Sequence, residues 1–230
     1  LRLRNKNGLG VIALQGDLRA EAIQPNQAWI DGWNLDSARD RIVGVGDFDG
    51  NGRDGFVVTS DWGIGILGHD GKRWRQSVGA PRNTWFGGWR WDATVNAKRD
   101  EVRAVANFAG SSAAEILVTS DWGMGVLRKT GDTMQATRTY TRGDRIGSWA
   151  YDPANRIMAT GDFDGDGCHE VLLFSPWGAG ALSMHRNTHL AMHANGERLD
   201  GWALDVGNNV IRATGDFDGD ERDELLVSSP

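Results

Sequence analysis

Residues 46–67 read GDFDGNGRDGFVVTSDWGIGIL and contain, in order, an acidic turn, an apolar run and a segment with alternating glycines. The acidic turn and the glycine segment recur along the chain, together with a third motif, Trp-x-x-Asp. Acidic turns start at Asp47, Asn107, Asp162 and Asp216, Gly-x-Gly segments at Gly8, Gly63, Gly123 and Gly178, and Trp-x-x-Asp segments at Trp33, Trp89, Trp149 and Trp202. Successive copies of each motif lie 53 to 60 residues apart. Four copies of each motif predict four repeats of about 55 residues.

Each repeat has the pattern of short strands separated by turns. An apolar, β-rich run follows each acidic turn, and in residues 62–67 the large side chains share one face while glycines leave the other face flat. We expect a polar third strand next, and then the Trp-x-x-Asp segment as a fourth strand with its tryptophan turned inward. Repeats of this length and strand content predict an all-β fold, a β-propeller of four-stranded antiparallel blades.

The sequence predicts a single domain over residues 1–230. The repeats run approximately over 1–46, 47–106, 107–161 and 162–215, with 216–230 completing the terminal blade. The segment expected after the C-terminal run lies at the other end of the chain, at Gly8, so the terminal strands are predicted to share a blade. Residues 1–6 already resemble the first strand of that blade. Three alternatives remain open: a longer ring, a displaced copy of this strand, or a second chain that makes a homo-oligomer.

Composition excludes several classes of partner. The 230 residues include 25 basic and 31 acidic side chains, a net charge of −6, without a basic cluster, which disfavours nucleic acid and anionic membranes. No apolar stretch approaches the roughly 20 residues needed for membrane insertion. Cys168 is the single cysteine, so no intramolecular disulfide forms.

The acidic turns place oxygen ligands at alternate positions, which is the arrangement that Ca²⁺ requires. The closing ligand is expected at the eighth or ninth position of the loop. The predicted ligands are Asp47, Asp49, Asn51 and Asp54 in the first loop, Asp162, Asp164, Asp166 and Glu170 in the third, and Asp216, Asp218, Asp220 and Glu224 in the fourth. The second loop has lost its carboxylates, and in the fourth Glu221 replaces the bend glycine. The alternative is an Asx-type turn whose Asp side chains accept local amides.

These loops, followed by a Glu-x-Leu strand and combined with the Gly-Trp-x-x-Asp segments, resemble the FG-GAP or VCBS repeats of β-propellers. That group includes the integrin α head and fungal lectins of the Psathyrella velutina type, and the resemblance covers nearly the whole chain. It implies calcium in the acidic loops and, for lectin members, N-acetylglucosamine-type sugars bound in clefts between adjacent blades. Such lectins have six or seven blades, whereas this chain has four repeats.

A sugar site needs an aromatic face and a few polar groups on a rigid loop. Three tryptophans follow a turn and stand beside a polar or turn residue, which predicts equivalent binding platforms. The predicted glycan-binding residues are Trp62, Trp122 and Trp177, with Asp61 and Asp121. Asn7 takes this place in the N-terminal copy, and Trp74 and Trp85 occur in one repeat only. The alternative is that these tryptophans fill the gaps between blades.

No catalytic motif is present, so we predict a secreted, non-enzymatic lectin with calcium-stabilised loops. The runner-up is a protein-interaction scaffold, or a binding module of a larger secreted protein. Spacing of His185, His189 and His193 would align them on a helix, but the repeat places this segment on strands joined by a turn near Asn187.

Overall fold

The computed structural model describes residues 8–14, 16–92 and 100–229. All regular structure in these ranges is β-strand. None of the described residues forms a helix that could cross a membrane. The interpretation of residues 1–6 as an extra first strand, and of Asn7 as the counterpart of Trp62, lies outside the described residues.

The described residues form eight small sheets that follow each other in sequence order. The N-terminal pair, β1 (Leu9–Leu14) and β2 (Leu18–Gln24), is followed by a ribbon of β3 (Trp29–Ile30) and β4 (Trp33–Asn34). Sheet A contains β5 (Arg41–Gly46), β6 (Gly55–Thr59), β7 (Gly63–His69) and β8 (Trp74–Pro81). Sheet B contains β9 (Glu101–Ala106), β10 (Glu115–Thr119), β11 (Gly123–Thr130) and β12 (Thr133–Thr141).

The remaining elements repeat this order. A ribbon of β13 (Arg145–Ile146) and β14 (Trp149–Ala150) precedes sheet C, which contains β15 (Arg156–Gly161), β16 (Glu170–Ser175), β17 (Gly178–Ser183) and β18 (Thr188–Ala194). The last ribbon, β19 (Arg198–Leu199) and β20 (Trp202–Ala203), precedes the C-terminal pair, β21 (Val210–Gly215) and β22 (Glu224–Ser228).

The four-stranded antiparallel sheets are confirmed, but their strand composition differs from the prediction. The first strand of each sheet precedes the acidic turn, as β5 does before Asp47, and each strand pairs with its sequence neighbour. The placement of Trp-x-x-Asp as a fourth sheet strand is wrong. These segments form two-residue ribbons or, at Trp85 and Arg90, a single bridge. They are too short for a sheet strand because their tryptophans leave the ribbon to pack on the next sheet.

The terminal pairs are the two complementary halves of such a sheet. The β1–β2 pairing shifts register between Val11 and Ile12, as β7–β8 does between Ile66 and Leu67. The β21–β22 pairing has the shift that is typical of the first two strands of a sheet. Within the described residues the two pairs are separate sheets, and the sharing of a blade by the terminal strands stays a prediction.

Apolar clusters fill the space between each sheet and the next. At three of these junctions a Trp-x-x-Asp tryptophan lies flat against a glycine of the following sheet. A Cβ on that glycine would come within 2.9 Å of the ring for Gly65 on Trp33, 2.6 Å for Gly125 on Trp89 and 2.4 Å for Gly180 on Trp149. These glycines are therefore required by close approach, as the flat face in the sequence predicts.

The inward orientation of the Trp-x-x-Asp tryptophans is confirmed in three copies. Trp33, Trp89 and Trp149 are at most 3% exposed. Trp202 is the exception at 43%, because among the described residues no further sheet lies against it.

Hydrogen bonds also link the acidic loops of successive sheets. In each case the amide at the eighth loop position donates to the carbonyl of the first residue of the preceding loop. The bonds are Ala114 to Asp47 at 2.7 Å, His169 to Asn107 at 2.6 Å and Asp223 to Asp162 at 2.7 Å. Each acidic loop is therefore hydrogen-bonded to the next one along one edge of the stacked sheets.

We expect Gly180→Ala to lower the free energy of unfolding by about 2 to 3 kcal/mol, because the new methyl group overpacks the Trp149 ring. Gly68→Ala is the matched control, since its Cβ would meet only ordinary contacts at 3.5 Å. Urea denaturation followed by tryptophan fluorescence measures both. Equal stability of the two variants would contradict the requirement for a glycine beneath the Trp149 ring.

Candidate functional site

An open cleft of about 250 Å³ lies between ribbon β3–β4 and sheet A. Aromatic and polar side chains line it together. They include Trp29, Trp33, Trp62, Asn34, Asp36, Arg39 and Asp61. Two of the predicted binding residues, Trp62 and Asp61, therefore meet in one cleft with residues from the ribbon.

The buried carboxylate of Asp40 lines this cleft. Oδ2 of Asp40 accepts Nε1–H of Trp33 at 2.8 Å and the amide of Asp36 at 2.9 Å. Burial raises the pKa of Asp40, and the hydrogen bond from Trp33 opposes that rise. Asp40 thus locks both ends of the Trp-x-x-Asp motif in place.

The same pair of hydrogen bonds, here called the polar lock, occurs in every copy. The acceptor is a carboxylate or a side-chain amide. Nε1 of the tryptophan donates to Asp100 at 3.1 Å, Asn155 at 3.1 Å and Asn209 at 3.5 Å in the second, third and fourth copies. The acceptor also binds the amide of the motif aspartate in each copy. These acceptors leave no periodic signal in the sequence, because their distance from the tryptophan varies between copies.

The predicted platform tryptophans pack against the buried tryptophans of the Trp-x-x-Asp motifs. Ring centroids lie 5.1 Å apart for Trp62 and Trp33, with an edge-to-face geometry, and 4.4 Å apart for the pairs Trp122–Trp89 and Trp177–Trp149. Exposure of the outer ring is 48% for Trp62, 40% for Trp122 and 46% for Trp177. Each outer tryptophan is therefore supported on one side and open to solvent on the other.

The turn that carries the outer tryptophan is closed by its own hydrogen bonds. The Ser60 amide donates to the Gly63 carbonyl at 2.9 Å, and the Ser60 hydroxyl accepts the Trp62 amide at 3.1 Å. The neighbouring Asp61 and Asp121 are exposed, so their carboxylates are free to accept hydrogen bonds from a ligand. Rigid backbone beneath an exposed ring is what a binding platform requires.

A second exposed tryptophan was missed in the sequence. Trp29 is 66% exposed and lines the same cleft as Trp62, and Trp85 occupies the equivalent ribbon position in the next copy with the same exposure. Arginines replace them in the third and fourth copies, at Arg145 and Arg198. Trp74, by contrast, is buried against Phe56 and belongs to the core.

The acidic loops lie away from the aromatic cleft, and their first aspartate accepts loop amides. Asp47, Asp162 and Asp216 each bind the amide five residues on, at 2.6, 2.9 and 3.1 Å. Asn107 accepts the amides of Gly110 and Ser111 in the second loop. These bonds are those of the Asx-type turn, and they occupy the side chain of the first loop residue.

Glutamate at the ninth position has a structural contact in each loop that contains it. One carboxylate oxygen accepts the amide of the loop phenylalanine, at 3.0 Å for Glu115, 3.1 Å for Glu170 and 2.8 Å for Glu224. Burial raises the pKa of Glu170 to about 7, to which the neighbouring Asp166 adds, although the Phe163 amide opposes the shift. Only the second oxygen of this glutamate remains for a cation.

The third loop brings Asp162, Asp164 and Asp166 together, with carboxylate oxygens within 4.8 Å of one another. The Arg186 guanidinium forms a salt bridge with Asp164 and lies 3.4 Å from Asp166. One buried oxygen of Asp164 and one of Glu170 still lack a hydrogen-bond donor. These buried acceptors fit a cation ligand set, with Arg186 as an internal competitor.

The fourth loop groups Asp216, Asp218, Asp220 and Glu224 in the same way, and no salt bridge to them is formed within the described residues. Glu221 takes the bend position with a φ of +69°, so the loop tolerates the missing glycine. This donor set of four carboxylates fits Ca²⁺.

The first loop is less well assembled. Asp49 forms a salt bridge with Lys129 at 2.5 Å and lines an open groove with Asn51 and Asp54. Asp54 and Asn51 are exposed.

Among solved structures, a fungal lectin has a fold similar to that of this chain. A structure of an Agrocybe aegerita lectin, described as specifically recognising non-reducing terminal N-acetylglucosamine, matches with a TM-score of 0.52 at 20% identity. The match covers 86% of this chain and 48% of the lectin chain, so this chain spans about half the length of the lectin. A Photorhabdus luminescens Tc holotoxin pore matches with a TM-score of 0.40 at 14% identity over 96% of this chain and 12% of the toxin chain.

No protein-family model matches the sequence, and no curated protein matches it either. Membership of the FG-GAP or VCBS group therefore stays a prediction.

We expect Asp40→Ala to destabilise the protein by about 2 kcal/mol or more, because two buried N–H groups lose their acceptor. Asp40→Asn is the control and should cost less than about 1 kcal/mol, since its amide oxygen can accept both bonds, as asparagine does in the third and fourth copies. Urea denaturation measures both variants. A larger loss in the asparagine variant than in the alanine variant would contradict the lock.

Proposed function

We propose that this chain is a glycan-binding, lectin-like protein of the β-propeller type that takes sugars of the terminal N-acetylglucosamine class. The observation that carries the proposal is the repeated pair of tryptophans, in which an exposed ring stacks on a buried ring held by a polar lock. Three described copies of this pair occur at equivalent junctions between sheets.

The chemistry of the first cleft suits a pyranose ring. The apolar C–H face of a sugar packs on an exposed indole, and its hydroxyls need a few fixed acceptors and donors around that ring. Trp62 supplies the ring, Asp61 and Asp36 supply acceptors, and Arg39 supplies a donor at the same cleft. Trp29 adds a second aromatic wall, which favours a ligand longer than one sugar.

Repetition adds avidity to weak single sites. Several binding sites on one chain raise the effective concentration of a second terminal sugar on the same glycan surface. Trp62, Trp122 and Trp177 are the proposed contacts, one at each of the three tryptophan pairs. The three sites are expected to differ in affinity for the sugar, because an arginine replaces the second tryptophan in the third copy.

A radial arrangement of the sheets is part of this proposal. Sheets A, B and C have the same strand order, pack face to face in sequence order, and are tied by one repeated hydrogen bond between their acidic loops. Repeated four-stranded units with identical junctions are typical of propeller blades. Fold similarity to the Agrocybe aegerita lectin supports both the arrangement and the sugar class.

The proposed role is non-catalytic and extracellular. Burial raises the pKa of the Cys168 thiol to about 11, so the single cysteine is protonated at neutral pH and is a poor nucleophile. Calcium-binding loops would be loaded at the calcium concentrations outside cells, which fits a secreted protein.

A glycan array followed by calorimetric titration tests the proposal. We expect specific binding to oligosaccharides ending in N-acetylglucosamine. The single change Trp62→Ala should remove one site per chain, and Trp62→Ala combined with Trp122→Ala and Trp177→Ala should weaken binding at least about tenfold, a loss of about 1.4 kcal/mol.

Phe217→Ala is the matched control, because Phe217 is an exposed aromatic residue in an acidic loop, outside the clefts. It should bind sugar as the unmodified protein does. A folded protein that binds no glycan on the array would favour the protein-interaction scaffold, and undiminished binding by the triple variant would exclude these tryptophans.

We propose further that the third and fourth acidic loops bind Ca²⁺. The fourth loop offers Asp216, Asp218, Asp220 and Glu224 to the ion. The third offers Asp162, Asp164 and Asp166, with Arg186 as a competing cation. A bound divalent ion supplies positive charge that offsets the mutual repulsion of these carboxylates. The first loop is the weakest candidate, because Lys129 already pairs with Asp49.

Calcium removal should therefore destabilise the protein. We expect 1 mM Ca²⁺ to raise the Tm of EDTA-treated protein by about 5 °C or more, since the ion binds only the folded loops. Asp218→Asn should reduce this shift, whereas Asp132→Asn, in an exposed hairpin turn outside the loops, should leave it unchanged. Differential scanning calorimetry measures the shift, and an unchanged Tm would refute calcium binding.

A further inference from the structure

We propose that the groove beside the first acidic loop binds a small aliphatic carboxylate, whose oxygens take the place of a glutamate side chain that this loop alone lacks. The groove has a volume of about 240 Å³ and is called the Gly55 groove below. Its lining includes Phe48, Gly55, Ile66, Gly68 and Arg75. This site is separate from the aromatic cleft, and the proposal depends neither on glycan binding nor on calcium.

The first observation is a backbone amide that lacks its usual acceptor. At the ninth loop position Glu115, Glu170 and Glu224 each accept the amide of their loop phenylalanine. Gly55 stands at this position in the first loop, and the Phe48 amide has no acceptor among the described residues. Phe48 is only 4% exposed. An unpaired donor at such a buried residue is costly, so an acceptor from a ligand would be favoured there.

The second observation is a pair of glycines where sheet B has an ion pair. In sheet B the Arg128 guanidinium donates to Oε1 of Glu115 at 2.8 Å from Nε and 2.7 Å from Nη2. The strand register puts Gly55 opposite Gly68 at the same two positions of sheet A, with Arg75 next in the row. The space that two long side chains take in sheet B is therefore left open in sheet A as the Gly55 groove.

The inner wall of the Gly55 groove is apolar. A Cβ on Gly55 would lie 3.4 Å from Cδ2 of Phe48 and 3.5 Å from Cγ2 of Ile66. A Cβ on Gly68 would meet only backbone atoms, at 3.5 Å or more. A short aliphatic chain could pack on this wall while its carboxylate reaches the Phe48 amide, which is how the glutamate side chains lie in the other loops.

Two arginines line the groove and can pair with a carboxylate. Nε of Arg75 donates to Asp70 at 2.8 Å, and its two terminal nitrogens form no hydrogen bond within the described part of the chain. Nη1 of Arg53 donates to the Asp70 carbonyl at 2.7 Å, and the charge of Arg53 offsets that of the exposed Asp54. Guanidinium groups with open N–H bonds are strong partners for carboxylates.

The aspartates of the groove do not exclude an anion, because they have cations of their own. Asp49 forms a salt bridge with Lys129, and Asp70 forms one with Arg75. The hydrogen bond from Arg75 lowers the pKa of Asp70, so Asp70 stays ionised and paired. The lining charges therefore balance, and a carboxylate gains the Phe48 amide and the remaining arginine donors.

Butyrate is the probe, because it has the carbon chain and carboxylate of a glutamate side chain from Cα outward. The ¹⁵N-labelled chain is titrated with sodium butyrate in EDTA buffer, with sodium chloride holding the ionic strength constant, and amide shifts are followed by NMR. We expect a saturable shift of the Phe48 amide with a dissociation constant of about 1 to 10 mM. Butyramide should bind at least about fivefold more weakly, because it lacks the charge. No saturable shift at Phe48, or equal binding of the amide, would overturn the proposal.

Gly55→Glu tests whether the missing side chain defines the site. The new glutamate supplies a tethered carboxylate at the Phe48 amide, as in the other three loops, so butyrate should bind at least about tenfold more weakly. Ala154→Glu is the matched control, because it adds the same charge in an exposed turn outside the groove. It should bind butyrate as the unmodified protein does. An unchanged affinity in Gly55→Glu would refute the assignment.

Gly68→Leu closes the groove in a second way and keeps the test open if Gly55→Glu does not fold. Its Cβ has only ordinary contacts, so the larger side chain extends into the groove. Butyrate binding should again fall at least about tenfold, with an unchanged circular dichroism spectrum. Sugar binding should stay as in the unmodified protein, which separates this result from any failure of the glycan sites. Full butyrate affinity in folded Gly68→Leu would overturn the proposal.

Discussion

The close packing of a tryptophan on a glycine between one sheet and the next is the contact on which the rest of this structure depends. Trp33, Trp89 and Trp149 each lie within van der Waals distance of a backbone that has no Cβ to hold them off. The contact sets the spacing of consecutive sheets, because a side chain at the glycine would push the sheets apart. It also orients the ring whose Nε1 is held by Asp40, Asp100 or Asn155.

The same contact positions the proposed binding surface. A buried tryptophan, fixed by the glycine on one face and by its polar lock at the edge, supports the exposed tryptophan of the following turn. The exposed ring therefore has a defined orientation although it is nearly half open to solvent. A rigid aromatic face limits the conformational entropy lost when a sugar binds. Stability and recognition thus share one set of residues at each junction.

Much of the fold could be predicted from the sequence because the repeated residues, glycine, tryptophan and aspartate, each favour particular backbone conformations or packing. Glycines at alternate positions beside Trp62 indicate close packing, and the acidic turns mark where strands end. The sites were found only in part. Asp40 and its counterparts stand at irregular distances from their tryptophans, and Trp29 lies in a two-residue ribbon, so neither leaves a periodic signal. Inward alternation looks alike in a strand and in a ribbon, so the Trp-x-x-Asp pattern predicts a sheet strand where the structure has a ribbon.

Motif order and spacing are enough to predict an all-β chain of four repeats, since they depend on local chemistry that each copy carries. Which groups meet across repeats is seen only in the folded chain. Arg186 on Asp164 and Lys129 on Asp49 both involve residues far apart in the chain. Such pairings follow from how whole sheets stack, because side chains become neighbours only after the sheets are packed.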